Sequence, residues 1–89
     1  MDKTITIILS VEANELGSLI IKTNDGFIYY ANLLDLKKVY CFPKTNEEWQ
    51  KVYIDSYGTA LVWSSRFEVH VDQIIALAYK KESVFQKAS

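Results

Sequence analysis

The 89 residues fit one small domain, read here as residues 1–89 with a core of about 4–80 and a C-terminal tail of 81–89. An apolar fraction of 49% separates the chain from disordered sequences, and ten basic residues against eleven acidic ones leave a formal net charge of -1. Only one of the cations, Arg66, is an arginine. The clustered positive charge that phosphate neutralisation demands is missing, so direct nucleic-acid binding by this chain alone is disfavoured. Cys41 is the only cysteine, which excludes an intramolecular disulfide and a cysteine-based zinc site. No run approaches a membrane span, and Ile7-Ile8-Leu9 is too short for a signal peptide. The expectation is a soluble cytoplasmic protein.

Thr4 to Val11 alternates with period two, which predicts a half-buried strand. Ile5, Ile7, Leu9 and Val11 fall on one side, and Thr4, Thr6, Ile8 and Ser10 on the other. Asn14-Glu15-Leu16-Gly17 breaks the pattern as a turn. Ser18 to Thr23 and Phe27 to Asn32 read as a hairpin about Asn24-Asp25-Gly26, since Asp and Gly both tolerate positive φ. Tyr29 and Tyr30 cannot both face the core, so one ring belongs on the outer face or at an interface.

Leu33 to Pro43 reads as a packed connection, with one helical turn or an irregular crossover at Leu33 to Leu36. Thr45-Asn46-Glu47-Glu48 has the form of a capping box, opening a short helix that plants Trp49 on the sheet. Lys51 to Asp55 and Thr59 to Trp63 form a strand pair around Gly58, and Arg66 to Val71 a short further strand. Asp72 is the expected N-cap of a closing helix. Ile74, Ile75, Leu77 and Ala78 give that helix an apolar face, and Lys80 and Lys81 suit its C-terminal end. Val84 and Phe85 continue the helix or dock the tail.

The residues that now carry a resemblance are Asn24-Asp25-Gly26, Leu34-Asp35-Leu36, Trp49 and Val52-Tyr53-Ile54-Asp55. Gly58-Thr59-Ala60-Leu61-Val62-Trp63 and Val69-His70-Val71-Asp72-Gln73-Ile74 complete the set. Over roughly Leu9 to Tyr79 the chain resembles a group of small bacterial proteins catalogued as domain of unknown function 2442. Those relatives often place Pro or Asn and a Gly after the Trp, where this chain has Ser64-Ser65-Arg66-Phe67. The acidic residue that commonly follows is here Glu68. The resemblance implies a small α+β domain with a curved antiparallel sheet and no established activity. Some members resemble the regulatory half of a two-gene pair, which implies an antitoxin-like role. Some relatives carry an added DNA-binding helix-turn-helix.

No reaction is spelled out. His70, the only histidine, has no nearby Cys or second His to make it a base or a ligand, and it reads as a surface or interface residue. Cys41, in an apolar run before Pro43, reads as a small buried hydrophobe. A Cys41–His70 nucleophile pair is the distant enzymatic alternative. Asp25, Asp35, Asp55 and Asp72 read as turn and cap residues, and no spacing matches a calcium loop. The three glycines, Gly17, Gly26 and Gly58, form no phosphate-cradling loop.

The sequence thus predicts an α+β fold: a small curved antiparallel β-sheet, a short helical segment near Trp49, and a C-terminal helix packed on the sheet. Twelve aromatic rings exceed what so small a core needs, among them Tyr29, Tyr30, Tyr40, Phe42, Tyr79 and Phe85. Tyr and Trp are favoured at protein interfaces. The expected function is a non-enzymatic interaction or regulatory module, possessing no cofactor or metal and partnered by another protein chain, either a second copy or a small partner. The candidate partner surface is Tyr29, Tyr30, Tyr53, Arg66, Glu68 and His70. The runner-up is a transcription-linked regulator that contacts nucleic acid as an oligomer, aligning Lys80, Lys81 and Lys87.

Overall fold

A computed structural model describes residues 5–39 and 41–83. The expectations placed on Thr4, Tyr40, Val84, Phe85 and Lys87 lie outside them. The first half of the chain is a meander of β1 (Ile8–Ala13), β2 (Ser18–Thr23) and β3 (Phe27–Asn32). Leu19 pairs with Ala31 and Ile21 with Tyr29, so the alternation of both strands buries one set of side chains together. At the tip only Gly26 takes a positive φ, 88°; Asp25 does not. Asp25 instead serves the turn with its carboxylate, which accepts from Phe27 N at 3.2 Å and from the Thr23 hydroxyl.

The first strand starts later than the alternation predicts, and its phase changes within it. Ile8 pairs with Thr23, and the next pair is Ser10 with Lys22, which leaves Leu9 as an extra residue. This bulge puts both Ile8 and Val11 against the core and turns Leu9 outward, opposite to a strict period of two.

Beyond β3, Asn32 Oδ1 accepts from Leu34 N at 2.9 Å and opens a 3₁₀ helix, Leu34–Lys38. Helix α1 (Asn46–Trp49) begins at the expected cap. Thr45 Oγ1 accepts from Glu48 N at 3.1 Å, while the Glu48 carboxylate reaches to Lys44 N at 2.9 Å, one residue beyond the reciprocal partner of the usual box. Strands β4 (Tyr53–Ile54) and β5 (Ala60–Ser64) follow. Asp55 Oδ1 accepts from Thr59 N at 2.9 Å and from Ala60 N at 3.3 Å, and Gly58 supplies the left-handed φ of 75°.

The chain then forms β6 (Phe67–His70) and α2 (Val71–Ala76). The N-cap is His70 rather than Asp72: His70 Nδ1 accepts from Asp72 N at 3.3 Å, so the helix starts two residues early. It also stops early. Residues Ala78–Ser83 form β7, antiparallel to β3, so Lys80 and Lys81 lie in a strand and not at a helix end. The apolar helical stripe runs out at Ala78, and the edge of β3 offers a whole ladder of backbone partners. That tertiary gain overrides the helix propensity of Ala-Tyr-Lys-Lys-Glu.

The strands divide between two antiparallel sheets, ordered β1-β2-β3-β7 and β4-β5-β6. The α+β class stands as expected. Bonds that tie the sheets together, directly or through α1, include Ile8 N to Gly58 O at 2.7 Å, Trp49 Nε1 to Ser18 O at 2.9 Å, and Trp63 Nε1 to Trp49 O at 3.0 Å. Around them, Trp49 stacks on Trp63 with centroids 4.8 Å apart, and Phe42 and Phe67 close the ring cluster edge-on at 5.4 Å. Such ring pairs contribute about 0.5–1.5 kcal/mol each beyond their area.

Two stability outcomes follow from this junction. Trp63→Phe keeps a ring but strands the Trp49 carbonyl, and it is expected to lower stability by about 1–3 kcal/mol in urea unfolding. An unchanged midpoint would show that the bond contributes nothing. Gly58→Ala adds a Cβ that meets Ile7 Cγ2 at a left-handed φ, so a loss of about 1–2 kcal/mol is expected from the same measurement.

Candidate protein-interaction surface

Side chains on one face of an antiparallel sheet are fixed by its register. In the three-stranded sheet, Ile54, Leu61 and Val69 stand in line on the core side. The alternate line is Tyr53, Val62 and Glu68, with Ala60 and His70 beside it. Val62 and Ala60 are buried within this row, while Tyr53 is 58% exposed and Glu68 and His70 are exposed. Three of the six expected surface residues therefore share one face, with β5 between Tyr53 and the other two. Arg66, exposed in the Ser65-Arg66 turn, stands at its end.

The two remaining candidates lie on the other sheet and part company there. Tyr29 is only 5% exposed, so the expectation that it belongs to a partner surface is wrong. Its ring faces the core because it pairs with Ile21. Its hydroxyl donates to Asp25 Oδ2 at 3.4 Å, and burial, then the nearby Asp25 charge, then that bond raise its pKa above 10.0. Tyr30 occupies the opposite, outer face, as the two adjacent rings required. There it sits among half-buried Ile20 and Ile28. Its hydroxyl donates to Glu82 Oε1 at 2.8 Å, and Lys80 Nζ lies 5.2 Å from its ring centre and 3.3 Å from Glu82. Sequence reasoning missed Glu82 as this partner because it placed residue 82 in a tail. The alternation Ala78-Tyr79-Lys80-Lys81-Glu82 contains no apolar signal that would mark a strand.

The chemistry-bearing residues are spent locally. His70 Nδ1 caps α2 and lies 3.7 Å from the Asp72 carboxylate. Cys41, at φ 72°, lines a cleft of about 390 Å³ with Leu16, Phe42 and Lys44, on an element that His70 does not share. Among the described residues, no bond joins Cys41 to His70, and no group of three His, Cys, Asp or Glu side chains is placed to hold a metal. No described helix is long and apolar enough to cross a membrane. Large exposed rings do occur: Tyr57 and Tyr79 are 79% and 68% exposed. A second cleft, of about 260 Å³, runs along β6 between Leu36 and Val39 on one side and Gln73 on the other. No family model matches the chain, nor does a curated protein or a solved structure.

The Tyr30–Glu82 pair gives a measurable titration. The hydrogen bond from Tyr30, then that from Lys80, holds the Glu82 carboxyl below its ordinary 4.5. The same bond, ahead of desolvation and the Glu82 charge, raises Tyr30 above 10.0. The carboxylate therefore favours the fold above the ordinary pKa, and that contribution fades as pH falls through the lowered value. The phenol favours the fold below pH 10.0 and ceases to do so as pH rises through the raised value. In a spectrophotometric titration, Glu82→Gln is expected to bring one phenol back toward its ordinary value. An unaltered curve would show that the pair is not formed.

Proposed function

We propose that the chain is a non-enzymatic interaction module that receives another protein chain on the exposed face of the three-stranded sheet. The observation that carries this reading is the set of Tyr53, Glu68 and His70, placed on one face by the β4-β5-β6 register on either side of buried Val62 and Ala60, with Arg66 at its end. It joins an aromatic anchor to charges of both signs, a composition suited to protein partners. The ring excess supports the same reading, since Tyr53, Tyr57 and Tyr79 lie outside the core. We further propose a cytoplasmic setting, in keeping with the free thiol of Cys41. We propose membership in the 2442 group and an antitoxin-like place in a small two-gene pair, on the motifs quoted above.

The test is capture of a partner by tagged chain, using the product of the adjacent gene as the probe. Wild-type chain is expected to retain it, and Tyr53→Ser to lose at least tenfold in affinity while keeping its unfolding midpoint. Equal retention by both proteins would remove the face from consideration. Activity that survives Cys41→Ala, at a residue outside that set, is also expected, and its loss would restore the enzymatic alternative.

A further inference from the structure

The clefts among the described residues differ in how their charges are balanced. The cleft along β6 carries Arg66 and Glu68, of opposite sign, and a small one beside Trp63 carries Glu48 and Lys51. A third, beside Tyr79, holds Lys80 and Lys81. Those two cations are already engaged: Lys80 Nζ lies 3.3 Å from Glu82, and Lys81 Nζ sits over the Phe27 ring at 4.2 Å. The cleft of about 390 Å³ at Leu16 and Phe42 is different. Its charged residues are Lys37 and Lys44, no acidic residue lines it, and neither lysine has an ion pair among the described residues.

Three segments build this cleft. Leu16 comes from the β1–β2 turn, where its N–H donates to Asn46 Oδ1 at 2.6 Å. Lys37 and Val39 come from the 3₁₀ helix and its C-cap. Phe42, Pro43 and Lys44 come from the stretch that leads into α1. There Phe42 N donates to Val39 O at 3.1 Å, and Lys44 N to Glu48 Oε1 at 2.9 Å. Phe42 is 5% exposed and lies against the Trp49 ring, 5.8 Å between centres, so one wall of the cleft belongs to the core. A concave site of this volume, mostly apolar with a few charged groups, is the usual form of a small-molecule site.

The backbone bonds also decide which anion suits it. Phosphate cradles are made of backbone N–H groups aimed at one point, with glycines that let the chain approach. Here Pro43 has no N–H, and those of Phe42 and Lys44 are spent within the chain. What remains for an anion is the pair of lysine ammonium groups, point charges on flexible stems. Leu16, Val39, Phe42 and Pro43 call in turn for an apolar body. We infer that this cleft binds a small carboxylic acid, its carboxylate toward Lys37 and Lys44 and its hydrocarbon against Leu16, Val39 and Phe42. The charge-assisted bonds orient the acid, and burial of the hydrocarbon adds to its affinity. Tyr53, Glu68 and His70 do not line the cleft, so the inference goes beyond the partner face and does not depend on it.

Isothermal titration calorimetry of the full chain with octanoate tests this, with octan-1-ol and inorganic phosphate as companion probes. Octanoate is expected to bind at one site per chain. Octan-1-ol, which lacks the charge, and phosphate, which lacks the apolar body, are each expected to bind at least about tenfold more weakly. Lys37→Gln and Lys44→Gln together should weaken octanoate about tenfold and leave octan-1-ol unchanged. Val39→Glu, at a side chain 45% exposed, sets a carboxylate in the cleft without emptying the core, and should abolish octanoate binding. The inference is overturned by an absence of saturable octanoate binding, or by octan-1-ol or phosphate bound as tightly as octanoate. It is equally overturned if the double lysine variant or Val39→Glu binds octanoate as the wild type does. The titration contains no partner protein, and Tyr53→Ser should bind octanoate normally while losing partner capture, so the two readings fail separately.

Discussion

The architecture hangs on one contact, the stack of Trp49 on Trp63, and on the two indole N–H bonds that flank it. Trp49 sits on a four-residue helix that has almost no stability of its own. Its indole nitrogen is bonded to β2 in one sheet, and its carbonyl receives the indole nitrogen of Trp63 from β5 in the other. The helix is therefore less a separate element than a clamp between two sheets that share few other bonds. A polar tip on a large apolar ring makes this workable: the rings fill the volume, and each buried N–H finds an acceptor. Among the described residues no buried side-chain nitrogen or oxygen is left without a partner.

Two single-residue bulges shape the rest. Leu9 in β1 and the irregularity between Val62 and Ser64 in β5 each interrupt an alternation that a reader of the sequence would run straight through. Each does so beside the junction. The first lets Ile8 enter the core close to Gly58. The second lets Trp63 and Phe67 both remain in the ring cluster while the chain turns at Ser65. Bulges cost local pairing but raise twist and re-aim side chains, which is what two small sheets need if they are to fold onto one core.

Much of this was legible in the sequence, and the rest was not for definite reasons. The β2–β3 hairpin, the Thr45 cap, the burial of Trp49 and the β4–β5 turn were each written in local chemistry: a glycine, a hydroxyl, a carboxylate at the right spacing. The phase of β1 was misread because a bulge leaves no compositional trace. The sequence Val71 to Ser83 was misread because its first half is a true helix and its second half has good helix formers. Only the unpaired edge of β3, known from tertiary structure alone, turns it into a strand. The candidate surface divides the same way. Glu68 and His70 were legible because alternation around Val69 fixes their side, whereas the side of Tyr53 follows from its pairing with Val62. Of Tyr29 and Tyr30 the sequence required that one be hidden, but only pairing with Ile21 decides that it is Tyr29.

The same logic explains why the open edge and the exposed row fall on the smaller sheet. The four-stranded sheet spends its edges: β7 completes it with a cationic strand, and Lys81 lies over the Phe27 ring at 4.2 Å, which draws charge onto the rim. The three-stranded sheet has no such closing strand. β6 passes directly into α2 through His70, and the capping bond from Asp72 N uses the imidazole nitrogen that would otherwise face solvent. What is left unspent beside β6 is the charge of Arg66, which has no ion pair among the described residues. A small domain that has settled its core with aromatic stacking can leave one edge unpaired without losing its fold, because the contacts that hold the sheets together are concentrated at Trp49 and Trp63.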